Sequence, residues 1–277
     1  MTQAPLPFSW TSGELHADVL LGAGLLAAAY AIAWARGPRR SAAEPGRFFA
    51  GVGVLLLALN GPLHDLSDSY LFSAHMVQHL LLTLLAPPLL LTGTPGWMLD
   101  GLLGEGGDGC TEGVQPAPPS RLPPRAAMVR AATRPLPAFA LWGATLVVWH
   151  LPGPYAAALA SHPVHIIQHL TLLATGVLGW WPVLARSRLA PALPYAAQIL
   201  YLFVFGIPMT VVAAMITGAE RLLYPFYAAA PRLFGLTPLA DQRLGGVIMW
   251  VPAGLIPLVA FTVVFFRWAA AEAEEPA

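Results

Sequence analysis

Residues 73–91 read SAHMVQHLLLTLLAPPLLL, a run without a formal charge whose polar side chains, apart from Thr83, gather in its first seven positions. About 20 apolar residues in a helix cross the roughly 30 Å of hydrocarbon in a bilayer, so the stretch predicts a transmembrane helix with polar first turns. His75 and His79 stand four apart and share one face of that helix, about a turn from each other. The same run therefore carries both the fold and a candidate site.

Six further apolar runs lie at 15–34, 48–63, 137–150, 162–184, 193–217 and 245–268, the one at 137–150 being the shortest. The 277 residues are 57% hydrophobic and 10% charged, against about 25% charged in a soluble domain. The expected fold class is an all-α integral membrane protein of about seven transmembrane helices, a single domain over residues 1–277. No basic segment followed by an apolar one precedes residue 15, so the first run is expected to stay as a permanent anchor. A net charge of zero, with no basic patch and interleaved aromatics, argues against nucleic acid as a partner. Cys110 is the sole cysteine, which excludes an intramolecular disulfide and a Cys-x-x-Cys motif.

All fourteen basic residues are arginine. Arg36, Arg39, Arg40 and Arg47 follow the first run; Arg121, Arg125, Arg130 and Arg134 separate the third from the fourth. Arg186 and Arg188 follow the fifth, and Arg267 ends the seventh. Only Arg221, Arg232 and Arg243 fall in the alternate loops. The positive-inside rule then predicts an N-terminus outside and a C-terminus in the cytoplasm. The Gly- and Pro-rich stretch 101–124 reads as a flexible cytoplasmic loop. Residues 221–235 read as a short interfacial helix lying over the outer face, suited to anchoring, to a lid or to docking a partner.

On this topology all eight histidines fall at outer helix ends. His75-Met76-Val77-Gln78-His79-Leu80 recurs ninety residues later as His165-Ile166-Ile167-Gln168-His169-Leu170, and a histidine precedes each motif on the preceding helix, His64 and His150. Helices 2–3 and 4–5 are thus expected to form a parallel internal repeat. Each repeat would offer three imidazoles near the headgroup boundary, with Ser73 and Ser161 as helix caps. His16 and His162 have no counterpart in the repeat and read as polar helix ends. Imidazole is among the commonest metal ligands, and polar pairs are expensive to keep near a bilayer unless used.

Three histidines per unit suit zinc or copper, and the thioethers of Met76, Met209, Met215 and Met249 tilt the choice toward copper, although methionine also fills cores. Gln78 and Gln168 can orient imidazoles from a second shell or simply bond helix to helix. They stand where a His-Glu-x-x-His-type hydrolase needs its carboxylate base, which argues against hydrolysis. Asp65 and Asp68 beside His64 are further ligand or second-shell candidates. A b-type haem protein for electron transfer is the first alternative, with two axial imidazoles from facing helices; paired histidines leave a surplus. A copper or small-solute transporter is the second, and would need polar groups continuing inward.

His75-Met-Val-Gln-His79, the apolar run through Ala86-Pro87-Pro88 to Gly93-Thr94-Pro95, Trp149-His150-Leu-Pro, His165-Ile-Ile-Gln-His169 and Trp250-Val-Pro-Ala-Gly254 together resemble one family. It is the membrane-integral CtaG family of cytochrome c oxidase assembly factors, associated with caa-type oxidases. The likeness runs from about residue 62 to 257. It implies maturation of the oxidase in the bacterial cytoplasmic membrane by supplying or inserting copper, without turnover of a substrate. Oxidase subunits, a periplasmic copper chaperone and the lipid bilayer are the partners implied. His64, His75, His79, His150, His165 and His169 are then the expected metal residues, with Gln78, Gln168, Asp65, Met76 and Met249 around them.

Overall fold

The computed structural model describes residues 8–11, 13–38, 42–104 and 122–274. Thirteen α-helices run through them: α1 Ala17–Arg36, α2 Ala43–Leu59, α3 Gly61–Ser69, α4 Phe72–Leu80, α5 Ala86–Gly93, α6 Gly96–Leu103, α7 Pro124–Ala132, α8 Pro135–His150, α9 Pro152–Ala160, α10 His162–Leu184, α11 Tyr195–Phe205, α12 Ile207–Gly218 and α13 Pro238–Glu274. Among the described residues five helical spans are long and apolar enough to cross a bilayer, or up to seven if each of two bent pairs counts as one. Leu20, Leu21, Leu25, Leu200, Phe203, Val259 and Phe266 stand exposed on the outside of the bundle. Without polar neighbours such a surface suits hydrocarbon better than water.

The expected second span is the first bent pair. It breaks between α2 and α3 by 43°, at Gly61, whose φ of +67° is one that side-chain-bearing residues rarely adopt. The turn sends α3 off the α2 axis and carries His64 with it, so this histidine does not close a continuous helix as expected. The fourth span bends by 72° between α8 and α9, directly after His150. Both breaks lie at the histidine end of the bundle. The sixth run is likewise split into α11 and α12 at Gly206, and the seventh is longer than expected at both ends.

Between α4 and α5 the helix widens into a π-turn, Leu81–Leu85. Pro87 and Pro88 follow, and a proline has no N–H for the carbonyl four residues back and collides with it. The wide turn relieves the collision. The Thr83 carbonyl, which Pro87 leaves without its usual donor, accepts the indole N–H of Trp180 on α10 at 3.1 Å. That hydrogen bond ties α4 to α10, the two helices that bear the repeated motifs.

Ser73 and Ser161 do not act as side-chain caps. Leu71 occupies the cap position of α4, and Ser161 sits at the cap of α10 without a side-chain bond to it. The cap of α4 comes instead from α13: the Asp241 carboxylate accepts the Phe72 N–H at 2.7 Å, the Ser73 N–H at 3.2 Å and the Ser73 hydroxyl at 2.5 Å. A carboxylate is also favoured at a helix N-terminus by the helix dipole. Four residues along α13, Gly245 lets the two helices touch, since a Cβ there would lie 2.4 Å from the Phe72 ring.

At the far end of α10, Arg186 pairs with Glu44 at 2.9 Å, and buried Asp100 accepts Ser187 Oγ and the Arg188 N–H. α6 runs to Leu103 and α7 starts at Pro124, so the Gly- and Pro-rich stretch is helical at both edges. Residues 105–121, with Cys110, lie outside the described residues. The segment 221–235 is not the expected interfacial helix; among its residues only Pro225–Ala228 forms a 3-10 turn, whose Tyr227 is buried together with the preceding Tyr224.

Candidate metal centre

His75 and His79 come from α4, His165 and His169 from α10, His150 from the end of α8 and His64 from α3. The structure does not sort them into two three-histidine units. His75 joins His165 and His169 across the two motifs: one ligand atom from each lies within 4.8 Å of the others. A metal with bonds of about 2.0 Å in a trigonal site holds its nitrogens about 3.5 Å apart, so each ring closes on it by about 1 Å or less. His165 Nε2 and His169 Nε2 have no hydrogen-bond partner among the described residues. Buried polar atoms are almost always partnered, and two unpaired nitrogens on histidines grouped this closely fit a bound cation. All six histidines are buried within the protein, His75 completely.

Gln78 and Asp68 fix the positions of the ring protons. The Gln78 amide donates to the Ala58 carbonyl at 2.8 Å and to His64 Nδ1 at 2.9 Å. The His64 proton therefore sits on Nε2, which faces Asp68 at 3.4 Å. Asp68 also accepts from His165 Nδ1 at 3.2 Å, leaving the lone pair of His165 on the unpartnered Nε2. A carboxylate on the far nitrogen is the usual support for a metal-bound imidazole, raising its basicity and holding its ring.

A second row runs from the triad into the protein. His75 Nε2 lies 2.9 Å from His79 Nε2, and His79 Nδ1 lies 3.3 Å from His150 Nε2. His150 Nδ1 donates to the Leu146 carbonyl at 2.7 Å. At the other end, the Tyr227 hydroxyl is 3.3 Å from His75 Nδ1 and donates to the Ser67 carbonyl at 2.8 Å. Burial pushes the Tyr227 pKa up, so the hydroxyl keeps its proton. The row is closed at both ends by carbonyls, which only accept. Four neutral groups bring one proton each to its five contacts. One contact therefore sets lone pair against lone pair unless a cation enters the row.

A family model described as cytochrome c oxidase caa3 assembly factor (Caa3_CtaG) matches residues 28–271. The chain belongs to this family. The chain is 27% identical over 264 residues to an uncharacterized protein of Mycobacterium bovis, covering 91% of this chain and 39% of the relative. A relative from Mycobacterium leprae is 26% identical over 211 residues, with 73% and 30% covered. The chain thus spans about two fifths or less of the length of these curated relatives. No solved structure matches it.

Of the residues expected around the histidines, Gln78 bonds His64 as described. Gln168 is different: neither atom of its buried amide has a partner among the described residues. Asp65 faces away and accepts the Glu14 N–H at 3.3 Å; its neighbour Asp68 reaches the imidazoles. Met76 and Met249 lie in the apolar core with Phe72, Leu80 and Ala253. Sequence reasoning missed Tyr227, the cap Asp241 and Tyr155, whose hydroxyl is 3.0 Å from that of Tyr227. Tyr227 sat in a segment rich in aromatics, and only contact across about 150 residues gives it a role.

Proposed function

We propose that this member of the oxidase assembly family holds a copper ion as cargo at its histidine end and delivers it to a subunit of cytochrome c oxidase. The observation that carries the reading is the buried group His75, His165 and His169, two of whose Nε2 atoms have no hydrogen-bond partner among the described residues. Neutral imidazoles at this spacing suit Cu(I) or Zn(II). Oxidase maturation, the role of the family, favours copper between them. His79 and His150 continue from the triad as further donors, while His64 and Asp68 orient the set. Without a thiolate the site releases its ion by ligand exchange, with no substrate turned over. Copper would be received on the outer side, where the arginine distribution puts the histidines, from a periplasmic copper chaperone or free in solution.

The rival readings fit less well. The rings of His75, His165 and His169 lie 4.2–6.1 Å apart, centroid to centroid, a spacing for a small ion and not for a macrocycle. A transporter would need donors beyond His79 and His150; Thr83, the next polar residue along the helix, turns its hydroxyl back on the His79 carbonyl at 2.6 Å. The test is copper titration of the protein purified in detergent. Wild type is expected to bind Cu(I) stoichiometrically, and His165→Ala with His169→Ala to bind none while keeping its helical circular dichroism. Full stoichiometry in that double variant would falsify the site.

A further inference from the structure

His16 and His162 fall outside the repeat and outside the buried group, yet they are not scattered. His162 stacks on His16 with ring centroids 6.1 Å apart, and His16 meets His64 edge-on at 4.3 Å. His64 stacks on His165 at 5.9 Å, and His165 lies 4.2 Å from His169 and 5.4 Å from His75. His75 to His79 is 4.4 Å and His79 to His150 is 5.2 Å. Every histidine of the chain belongs to this one ladder, which runs from a side chain 61% exposed at His162 to the interior. Chance placement of unused polar helix ends does not produce an unbroken series.

The exposed end of the ladder opens into a cavity of about 390 Å³ between α1, α2 and α10. His16, Asp18 and His162 stand at its rim, where α1 and α10 begin. His165 and His169 line it with their unpartnered Nε2 atoms buried. His64 also lines it, its nitrogens engaged by Gln78 and Asp68, and the rest of the wall, Leu26, Leu55 and Leu173 among it, is apolar. Asp18 Oδ2 lies 3.9 Å from His162 Nε2. The rim thus offers a negative charge and two imidazoles to an arriving cation. The wall offers nothing that would hold it, and the floor carries unpaired donors.

We propose that His16, Asp18 and His162 form a loading site, which captures Cu(I) at the mouth of this cavity and passes it inward to His165 and His169. The proposal rests on the copper reading above. It makes the rim a determinant of rate and leaves final occupancy to the buried group. Gly22 lines the cavity with open space beyond its Cα, whereas Gly24, equally unobstructed, is not among the lining residues. A tryptophan at position 22 fills the passage, and one at 24 does not.

The experiment follows Cu(I) uptake by the full-length protein from a chelator-buffered solution, reading rate and end point separately. His16→Ala with His162→Ala, and Gly22→Trp alone, are expected to load roughly tenfold more slowly, the scale on which charged or ligating entrances change association rates. Both should reach the wild-type stoichiometry, and Gly24→Trp should load at the wild-type rate. Wild-type rates in the first two variants overturn the loading site and leave the buried site standing. Lost stoichiometry in the rim variant also overturns it, because the rim would then hold the ion. A wild-type protein that takes up no copper overturns the copper reading itself.

Discussion

Asp68 shows how one carboxylate governs the site. It accepts from His165 and faces His64, so it sets which nitrogen of each ring carries the proton. Asp68→Asn retains the size of the side chain but loses the charge and can present an N–H to His165. Cu(I) affinity is expected to fall about 10- to 100-fold, as for other outer partners of metal-bound histidine. Competition with a calibrated chelator measures this, and an unchanged affinity would remove Asp68 from the site. The motif histidines were legible in the sequence because their spacing and repetition need no tertiary knowledge. Asp65 and Asp68 were both visible beside His64, but which one turns inward depends on the turn at Gly61, three residues before the pair's histidine. Tyr227 was legible only as an aromatic.

Elements explain what pattern reading missed. Apolar runs located the helices, because burial in hydrocarbon demands length and composition alone. The breaks at 60–61 and 151 were harder to see, since Gly61, Pro62 and Pro152 occur in straight membrane helices too. Serine beside a helix start suggested a local cap, yet α4 is capped by Asp241 from 169 residues later in the chain. Asp241→Ala leaves the Phe72 and Ser73 N–H groups buried without an acceptor, which costs about 1–3 kcal/mol. The melting temperature in detergent is expected to drop, with weakened Cu(I) binding as α4 frays beneath His75. Equal melting temperatures for variant and wild type would show that water or another group replaces the cap.

At the scale of the molecule, every histidine gathers at one end, and Arg186 and Arg188 anchor the other. The positive-inside rule predicts that the histidine end is the outer one. With Cys110 replaced by serine, cysteines can be placed at exposed Glu220 and at Met128, which is 67% exposed. A membrane-impermeant maleimide applied to intact spheroplasts should label the cysteine at 220 and spare the one at 128. The reverse pattern inverts the protein and would place copper handling in the cytoplasm.

The bond from Asp241 to the start of α4 also sets an order in time. The ribosome delivers His75 and His79 long before residue 241, and at about 5–20 residues per second the interval lasts on the order of ten seconds or more. Throughout it the first turn of α4 lacks its acceptor and the Gly245 contact is missing. The buried histidine group is therefore completed only after α13 has been made, so on the copper reading proposed above the ion finds no closed place to lodge while the chain is still growing toward it.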